Sequence, residues 1–214
     1  MIDLIIHNAT VVNSDGRQRV DVAIHHGKIV AIGHGSALPD ATDHVDAGGL
    51  FLLPGVIDSH VHIREPGRTE REDFATATRA AAVSGVTMVC EMPISSPSVH
   101  NPQILANRIA AVQPKAYVDF AMYGAAAHDN LDDIQPLANA GIISFKTFRT
   151  AVPAGRESEF IGLCCPDPGA FYQVLCETAK TRRPAAIHAE DEYILARLAT
   201  QLKAAGDNGP TSHG

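Results

Sequence analysis

The stretch Pro54–His62 has the sequence PGVIDSHVH and decides the fold of this chain. It begins a region in which short apolar segments alternate with helical ones. In an extended strand successive side chains point to opposite faces, so Asp58, His60 and His62 share one face. Two imidazoles in this arrangement can converge on one metal ion, and Zn–N distances of about 2.0–2.1 Å suit such a pair. The alternative is a polar strand end that is hydrogen-bonded into a loop.

Downstream of this stretch, about five strand–helix units follow one another, which predicts parallel strands joined by right-handed crossovers. The predicted strands are Val56–Ile63, Val86–Met92, Tyr117–Tyr123, Ile142–Phe148 and Ala185–His188. The predicted helices are Glu72–Ser84, Gln103–Val112, Leu131–Asn139, Gly169–Thr181 and Glu190–Ala205. A closed (β/α)₈ barrel needs eight units. An open doubly wound sheet is the competing fold, although no glycine-rich phosphate-binding loop follows the first strand.

The sequence upstream of this stretch predicts a small β-domain without helices. Two short apolar strands, at 4–6 and 10–12, are separated by His7-Asn8-Ala9. Between residues 20 and 24 apolar side chains recur at every second position, which is typical of a half-buried strand. A turn at His26-Gly27 leads into a further strand.

The predicted architecture is therefore α/β with two domains. Residues 1–53 form a small N-terminal β-domain, an incomplete β-sandwich, and residues 54–214 form the first part of a truncated (β/α)₈ TIM-type barrel. The sequence ends in a polar segment after Pro210 with no closing element. We expect the chain to be the front half of a larger protein that is a homo-oligomer in its full-length form.

Composition excludes several classes of protein. The 214 residues include 17 Lys+Arg against 24 Asp+Glu, a net charge of −7, which argues against a nucleic-acid partner. No apolar run approaches the roughly 18 residues of a membrane span, and no signal peptide is evident. The four cysteines form no C-x-x-C pair, so we expect reduced thiols in a cytoplasmic protein. Eleven histidines hint at metal chemistry, although those in polar or Gly-rich contexts predict surface residues: His25, His26, His34, His44, His100 and His128.

Two more predicted strand ends carry metal-compatible side chains. Lys146 lies inside the apolar strand 142–148, where desolvation opposes its charge and favours a neutral, reactive amine. Alternatively it reaches solvent or pairs with a carboxylate. His188 follows the apolar segment 185–187, and a lone histidine there is more often structural. Because three separate strand ends offer such groups at the same edge of one sheet, a metal centre becomes the favoured hypothesis.

The sequence PGVIDSHVHIREPG at 54–67 resembles the first-strand signature of the dihydroorotase, allantoinase and hydantoinase group of cyclic amidohydrolases. The segments Gly85-Val86-Thr87, Glu91-Met92-Pro93, Phe145-Lys146 and His188-Ala189-Glu190 follow in that family's order. Residues 27–33 resemble part of its small β-domain. The resemblance implies a metal-dependent hydrolase of pyrimidine or purine metabolism that opens a small cyclic amide.

The resemblance also implies a site with two divalent metal ions, for which we expect Zn²⁺. His60 and His62 would bind the first ion, Lys146 would be carbamylated and bridge both ions, and His188 would bind the second. A hydroxide held between the ions would attack the ring carbonyl. In the family an Asp that binds metal and moves the proton comes later in the chain, beyond residue 214. We therefore assign no catalytic residue within this chain.

For the substrate, the resemblance implies contacts from Arg64 and Ser95. Arg64 matches the arginine that holds a substrate carboxylate in dihydroorotases, a geometry that suits a planar guanidinium, or it pairs with Glu65 or Glu70. Ser95 stands where dihydroorotase and allantoinase motifs carry Asn, and no Tyr follows Lys146 as in hydantoinases. A dihydroorotase-like or allantoinase-like activity is favoured. The alternatives are a hydantoinase or dihydropyrimidinase activity and a non-catalytic hydantoinase-like scaffold.

We expect the 214-residue chain by itself to lack hydrolase activity, because an open half-barrel exposes strand edges and an apolar face. Turnover of dihydroorotate, allantoin or a hydantoin is measured with metal and bicarbonate supplied. Detectable turnover by this chain contradicts the expectation.

Overall fold

The computed structural model describes residues 2–207 and 209–213. The chain divides into two compact units, one that ends at Gly55 and one that begins at Val56. Each unit has its own sheet. Among the residues described, no helix combines the length and the apolar character that crossing a bilayer requires.

The first unit is a mixed sheet. Its strands are β1 (Ile2–Asn13), β2 (Gly16–His25), β3 (Lys28–Gly33), β4 (Ala41–Asp46) and β5 (Phe51–Leu52). The strand order is β3-β2-β1-β4, and β5 also pairs with β1. The pairs β1–β2 and β2–β3 are antiparallel, whereas β4 and β5 run parallel to β1.

The break that the sequence predicts at His7-Asn8-Ala9 is an irregularity inside one strand, so the prediction of two strands was wrong. The register with β2 shifts between Ile6 and Ala9, and Asn8 has a φ of 62°. Asn tolerates this left-handed conformation better than most residues do. β1 therefore continues through the polar segment and reaches two parallel partners, β4 and β5, that the sequence did not predict.

The middle of β2, residues 20–23, is buried on both faces, so the prediction of a half-buried strand was also wrong. Asp21 is buried because its carboxylate accepts hydrogen bonds from the backbone N–H of Asn8 at 2.8 Å and of Gly35 at 3.1 Å. These bonds replace the water that a carboxylate otherwise requires. The bond from Asn8 is the main cause of a lowered pKa of Asp21, followed by the His7 side chain and then by the bond from Gly35.

The second unit alternates strands with helices. Its strands are β6 (Val56–Val61), β7 (Val86–Glu91), β8 (Asp119–Ala125), β9 (Ser144–Phe148) and β10 (Ala185–His188). Its helices are α1 (Phe74–Val83), α2 (Pro102–Val112), α3 (Leu131–Asn139), α4 (Glu157–Phe160), α5 (Pro168–Lys180) and α6 (Glu192–Ala204). All five strands the sequence predicts are present, and of these helices only α4 was not predicted.

The strand order decides between the two competing folds. Every described pair in this sheet is parallel, and β6 to β10 are neighbours in the order of the chain. A doubly wound sheet reverses its strand order at a switch point, whereas a barrel adds strands in sequence around its axis. The curled five-stranded sheet is thus part of a (β/α)₈ barrel, and the predicted fold class is confirmed.

Short polar side chains fix where the helices begin. Each of four helices is preceded by an Asp or Asn whose carboxyl or amide oxygen accepts a hydrogen bond from a backbone N–H of the first turn, which satisfies a donor that has no partner within the helix. These N-cap residues are Asp73, Asn101, Asp167 and Asp191. The predicted starts of α1 and α6 fall two residues early because the cap, not the apolar pattern, sets the boundary.

The main core of this unit lies between the sheet and its helices. It includes buried side chains of α1, α2, α3, α5 and the strands: Phe74, Leu105, Ile134, Leu137, Phe145 and Val174. The Ile142 side chain packs directly against β8 at Gly124. A glycine is required there because a Cβ would lie 2.6 Å from Ile142 Cδ1. All five residues of β9 are buried. This strand therefore places any polar side chain it carries in a desolvated environment.

Candidate metal centre

The two histidines of the opening motif lie at the end of β6. His60 belongs to the strand and His62 follows it directly. Their Nε2 atoms are 3.2 Å apart. Two nitrogens bound to one ion at about 2.0–2.1 Å in tetrahedral geometry lie about 3.4 Å apart. The pair is therefore spaced as two ligands of a single cation require.

The surroundings of both histidines favour the uncharged imidazole. Burial, followed by the charge of Arg64, lowers the pKa of His62 to about 4. Burial and then the charge of Lys146 also lower the pKa of His60. A neutral imidazole keeps a nitrogen lone pair, which is the form that binds a metal ion.

Lys146 is the central residue of β9 and is only 3% exposed. Within the part of the chain that the structure describes, its Nζ makes no hydrogen bond or ion pair. The centroid of the Phe148 ring lies 5.0 Å from Nζ. Burial lowers the pKa of the amine, and Glu190 partly opposes this shift. Among the described residues Lys146 forms no ion pair with a carboxylate, so that predicted alternative is wrong, whereas the alternative that its amine reaches solvent stays a prediction.

His188 ends β10 on the same face of the sheet as Lys146. The register pairs Lys146 with Ala186 and Phe148 with His188, and registered side chains of parallel strands point to the same side. The Phe148 and His188 ring centroids are 4.8 Å apart. His188 Nε2 also contacts the carboxylate of Glu190.

The predicted metal-binding residues therefore lie on three strands of one sheet, with the histidine pair at the end of β6, Lys146 within β9 and His188 at the end of β10. The charge of Lys146 contributes to the lowered pKa of His60 and, to a smaller extent, of His62. Barrel enzymes place their active sites at this end of the strands. The role of the four residues as metal ligands stays a prediction.

The segment after His62 is held by a buried carboxylate that the sequence analysis did not identify as functional. Glu91, at the end of β7, accepts hydrogen bonds from the backbone N–H of Ile63 and of Arg64, each at 2.9 Å. Glu91 also forms an ion pair with Arg108 of α2. Both charged side chains are almost fully buried, with exposures of 0% and 2%.

Glu91 and Arg108 together form a clamp, because Arg108 also holds two loops. Its Nε donates to the carbonyl oxygen of Glu65 at 2.7 Å, and its Nη1 donates to that of Met92 at 2.9 Å. The sequence signal was an arginine three residues after Leu105 and four before Val112, on the buried face of α2. A charged residue on the apolar stripe of a helix marks a buried partner, but the spacing does not reveal which one.

Arg64 carries a half-buried side chain with a backbone φ of 64°. The predicted alternative for it, an ion pair with Glu65 or Glu70, is wrong. Glu65 forms an ion pair with Lys115, and Glu70 lies 3.6 Å from Arg68. Burial and neighbouring arginines lower the pKa of Arg64. A guanidinium in this environment favours an anionic or strongly polar ligand.

Ser95, the second predicted substrate contact, is fully buried. Its hydroxyl donates a hydrogen bond to the carbonyl oxygen of Pro97 at 2.7 Å. The hydroxyl therefore stabilises its own loop, and no contact of Ser95 in the described structure supports a role in substrate binding. That role stays a prediction.

Comparison with known proteins identifies the family. The profile of the amidohydrolase family matches residues 51–203. The chain belongs to the amidohydrolase family. Residues 1–52 match the N-terminal domain of the urease alpha subunit. The family that the motifs predicted is confirmed.

Relatives of this amidohydrolase chain include two curated enzymes and a solved structure. The chain is 37% identical to an allantoinase of Solibacter usitatus (strain Ellin6076) over 207 residues, which are 96% of this chain and 44% of that protein. It is 33% identical to an L-hydantoinase of Paenarthrobacter aurescens, with the same coverage of both chains. The structure of an L-hydantoinase (dihydropyrimidinase) from Arthrobacter aurescens superposes with a TM-score of 0.91 at 32% identity, and covers 99% of this chain and 46% of that one. The chain thus spans less than half the length of the relatives it matches.

We predict that Glu91→Gln lowers the free energy of unfolding by about 3–5 kcal/mol, because it leaves the charge of Arg108 buried without its counter-ion. Urea unfolding followed by circular dichroism measures the loss. Hydrogen exchange of the peptide that contains Ile63 and Arg64 should accelerate as well, since these amides donate to Glu91.

Glu159→Gln is the matched control for this prediction. Glu159 is equally shielded but pairs with Arg68 and Arg156, which are 39% and 29% exposed. Glu159→Gln should lower the free energy of unfolding by only about 1 kcal/mol, because water can solvate the two arginines that lose their partner. Equal losses for the two variants, or unchanged exchange at Ile63 and Arg64, would contradict a clamp at Glu91.

Proposed function

We propose that the whole protein hydrolyses a cyclic amide at a centre for two divalent metal ions, to which this chain contributes His60, His62, Lys146 and His188. The observation that carries the proposal is the environment of Lys146. It is a buried amine, without a hydrogen bond or ion pair among the described residues, on the face of the sheet that also carries His188. A buried ammonium without a partner is costly. If the amine is covalently modified and the product binds metal ions, no unpaired ammonium is buried and this cost does not arise.

The residue types fit such a centre. His60 and His62 would hold one ion through their ring nitrogens, and His188 would hold the second after its contact with Glu190 is released. The neutral Lys146 amine would add to CO₂, so that an N–C bond forms and a proton leaves. The resulting carbamate would supply an anionic oxygen ligand that the uncharged amine lacks. Nitrogen and oxygen ligands of this kind suit Zn²⁺.

When bound, such ions lower the pKa of a coordinated water and polarise a carbonyl oxygen. The described residues supply the positioning for this chemistry. Glu91 and Arg108 fix the backbone that follows His62, so that the two imidazoles keep their spacing. Phe148 contacts Lys146 and His188 and keeps the neighbourhood of the amine apolar. A dry environment favours the neutral amine that reacts with CO₂.

The ring we favour is the five-membered ring that allantoin and hydantoins share. Relatives of this chain carry the names allantoinase and L-hydantoinase. Allantoin differs from an unsubstituted hydantoin by a polar ureido substituent, which Arg64 can bind through its guanidinium. An allantoinase-type activity is therefore the first candidate and a hydantoinase-type activity the second. The dihydroorotase-like alternative rests on the Arg64 motif alone.

We predict that Lys146→Ala abolishes binding of the bridged ion pair while the fold is retained. The whole protein, purified with Zn²⁺ and bicarbonate, should contain about two ions per chain by elemental analysis. With ¹³C-labelled bicarbonate it should show a carbamate carbon signal. Both should be lost in the variant because no amine remains to form the bridge.

Lys180→Ala is the control for this experiment, since Lys180 is an exposed lysine of α5 that pairs with Glu177. It should keep both the ions and the carbamate signal. Retention of both ions in Lys146→Ala would exclude the bridging role. An unmodified, metal-free wild-type protein would favour the non-catalytic scaffold.

We predict that Arg64→Gln raises the KM for allantoin by about 10–100-fold with little change in kcat. A hydrogen bond to a charged group contributes about 1.5–3 kcal/mol, and here it acts on binding. The KM for unsubstituted hydantoin should not change. Steady-state kinetics on both rings measure this, and equal KM changes for the two substrates would remove Arg64 from substituent recognition.

A further inference from the structure

Three potential metal ligands lie together in the N-terminal sheet, in the unit that the proposed hydrolase centre does not use. They are Asp3 of β1, His25 at the end of β2, and His26 in the turn that follows. One ligand atom from each lies within 4.8 Å of the other two. His25 Nδ1 is 2.9 Å from Asp3 Oδ1, and the two imidazole centroids are 3.9 Å apart.

The backbone fixes this arrangement. Leu4 of β1 pairs with Ile24 of β2, so the next position along the antiparallel ladder places Asp3 beside His25. The backbone N–H of His26 donates to Asp3 Oδ2 at 2.6 Å. His26 and Gly27 have φ values of 52° and 70°, as the two central residues of a type I′ hairpin turn do. The short hairpin therefore sets the positions of the three potential metal ligands.

The turn alone does not explain the residue types. The hydrogen bonds of Asp3 account for a carboxylate at that position, but the first central position of a type I′ turn favours Asn, Asp or Gly over His. Two imidazoles and a carboxylate are a ligand set typical of Zn²⁺, Ni²⁺ or Cu²⁺, and not of Mg²⁺ or Ca²⁺, which prefer oxygen. The sequence context of His25 and His26 predicted surface residues. Only the fold shows that Asp3 lies beside them.

The spacing also suits a cation. Two ligand atoms bound to one ion at about 2.0–2.2 Å lie roughly 2.8–3.6 Å apart, with octahedral geometry at the short end, and the distance of 2.9 Å between His25 Nδ1 and Asp3 Oδ1 falls in this range. A cation would replace the proton that this contact shares. Asp3 and His26 are exposed, so water can complete the coordination.

We propose that Asp3, His25 and His26 bind one divalent transition-metal ion, independently of the centre in the second unit. The ion would tie the start of β1 to the turn between β2 and β3. The site requires no substrate and no second subunit.

The test is calorimetric titration of the untagged chain with Ni²⁺, in a His60→Asn, His62→Asn background that removes the main histidine pair of the hydrolase centre. We expect one saturable site per chain. Asp3→Asn or His26→Asn should weaken the affinity at least about tenfold, as expected when one ligand of a metal ion is lost. Asn at position 26 keeps the turn because it tolerates positive φ.

His34→Ala is the matched control, since His34 is an exposed histidine of the same unit outside the cluster. It should bind Ni²⁺ as the background protein does, and circular dichroism verifies that each variant is folded. Absence of a saturable site, or unchanged affinity in Asp3→Asn and His26→Asn, would overturn the proposal. Loss of the ion in His44→Ala but not in His26→Asn would also overturn it, because His7 and His44 form a separate pair 2.8 Å apart.

Discussion

The desolvation of Lys146 is the constraint on which the candidate centre depends. The side chain lies in a strand whose five residues are all buried, and β8 and β10 cover both edges of that strand. Burial therefore disfavours the ammonium, and the charge of Glu190 only partly offsets this effect. The same parallel register that buries Lys146 aligns His188 with Phe148 on the same face. The register of the sheet thus accounts for both the burial of Lys146 and the position of His188 on the same face.

A buried ion pair has a structural role in the same unit. Glu91 and Arg108 are as shielded as Lys146, but they neutralise each other and satisfy four backbone groups of the loops around them. Buried ion pairs contribute little net stability compared with apolar residues, yet breaking one is expensive. Their value here lies in geometry, because they define the path of the chain immediately after His62. The same unit thus contains a buried lysine without an ion pair among the described residues and a buried ion pair that holds two loops.

Much of the fold followed from local patterns, and the exceptions have physical reasons. The five strands of the second unit were predicted because short apolar segments between turn residues specify buried strands. The helix starts were less accurate, since Asp73 and Asp191 set them through side-chain hydrogen bonds to backbone N–H groups, which a hydrophobic pattern does not record. In the first unit the left-handed Asn8 let β1 continue where the sequence suggested a break. β4 and β5 escaped prediction because they pair with β1 over long sequence separations.

The sequence by itself determined the residue types of the candidate site and their positions at strand ends, because the period of a strand fixes which side chains share a face. It also determined the family, through motifs whose order is fixed along the chain. Only the tertiary structure decided that Glu91 and Arg108 form a pair, that Ser95 serves its own loop, and that Asp3 joins two histidines 22 and 23 residues away. The reason is that burial and partner choice depend on which distant segments pack together, and local periodicity carries no record of that.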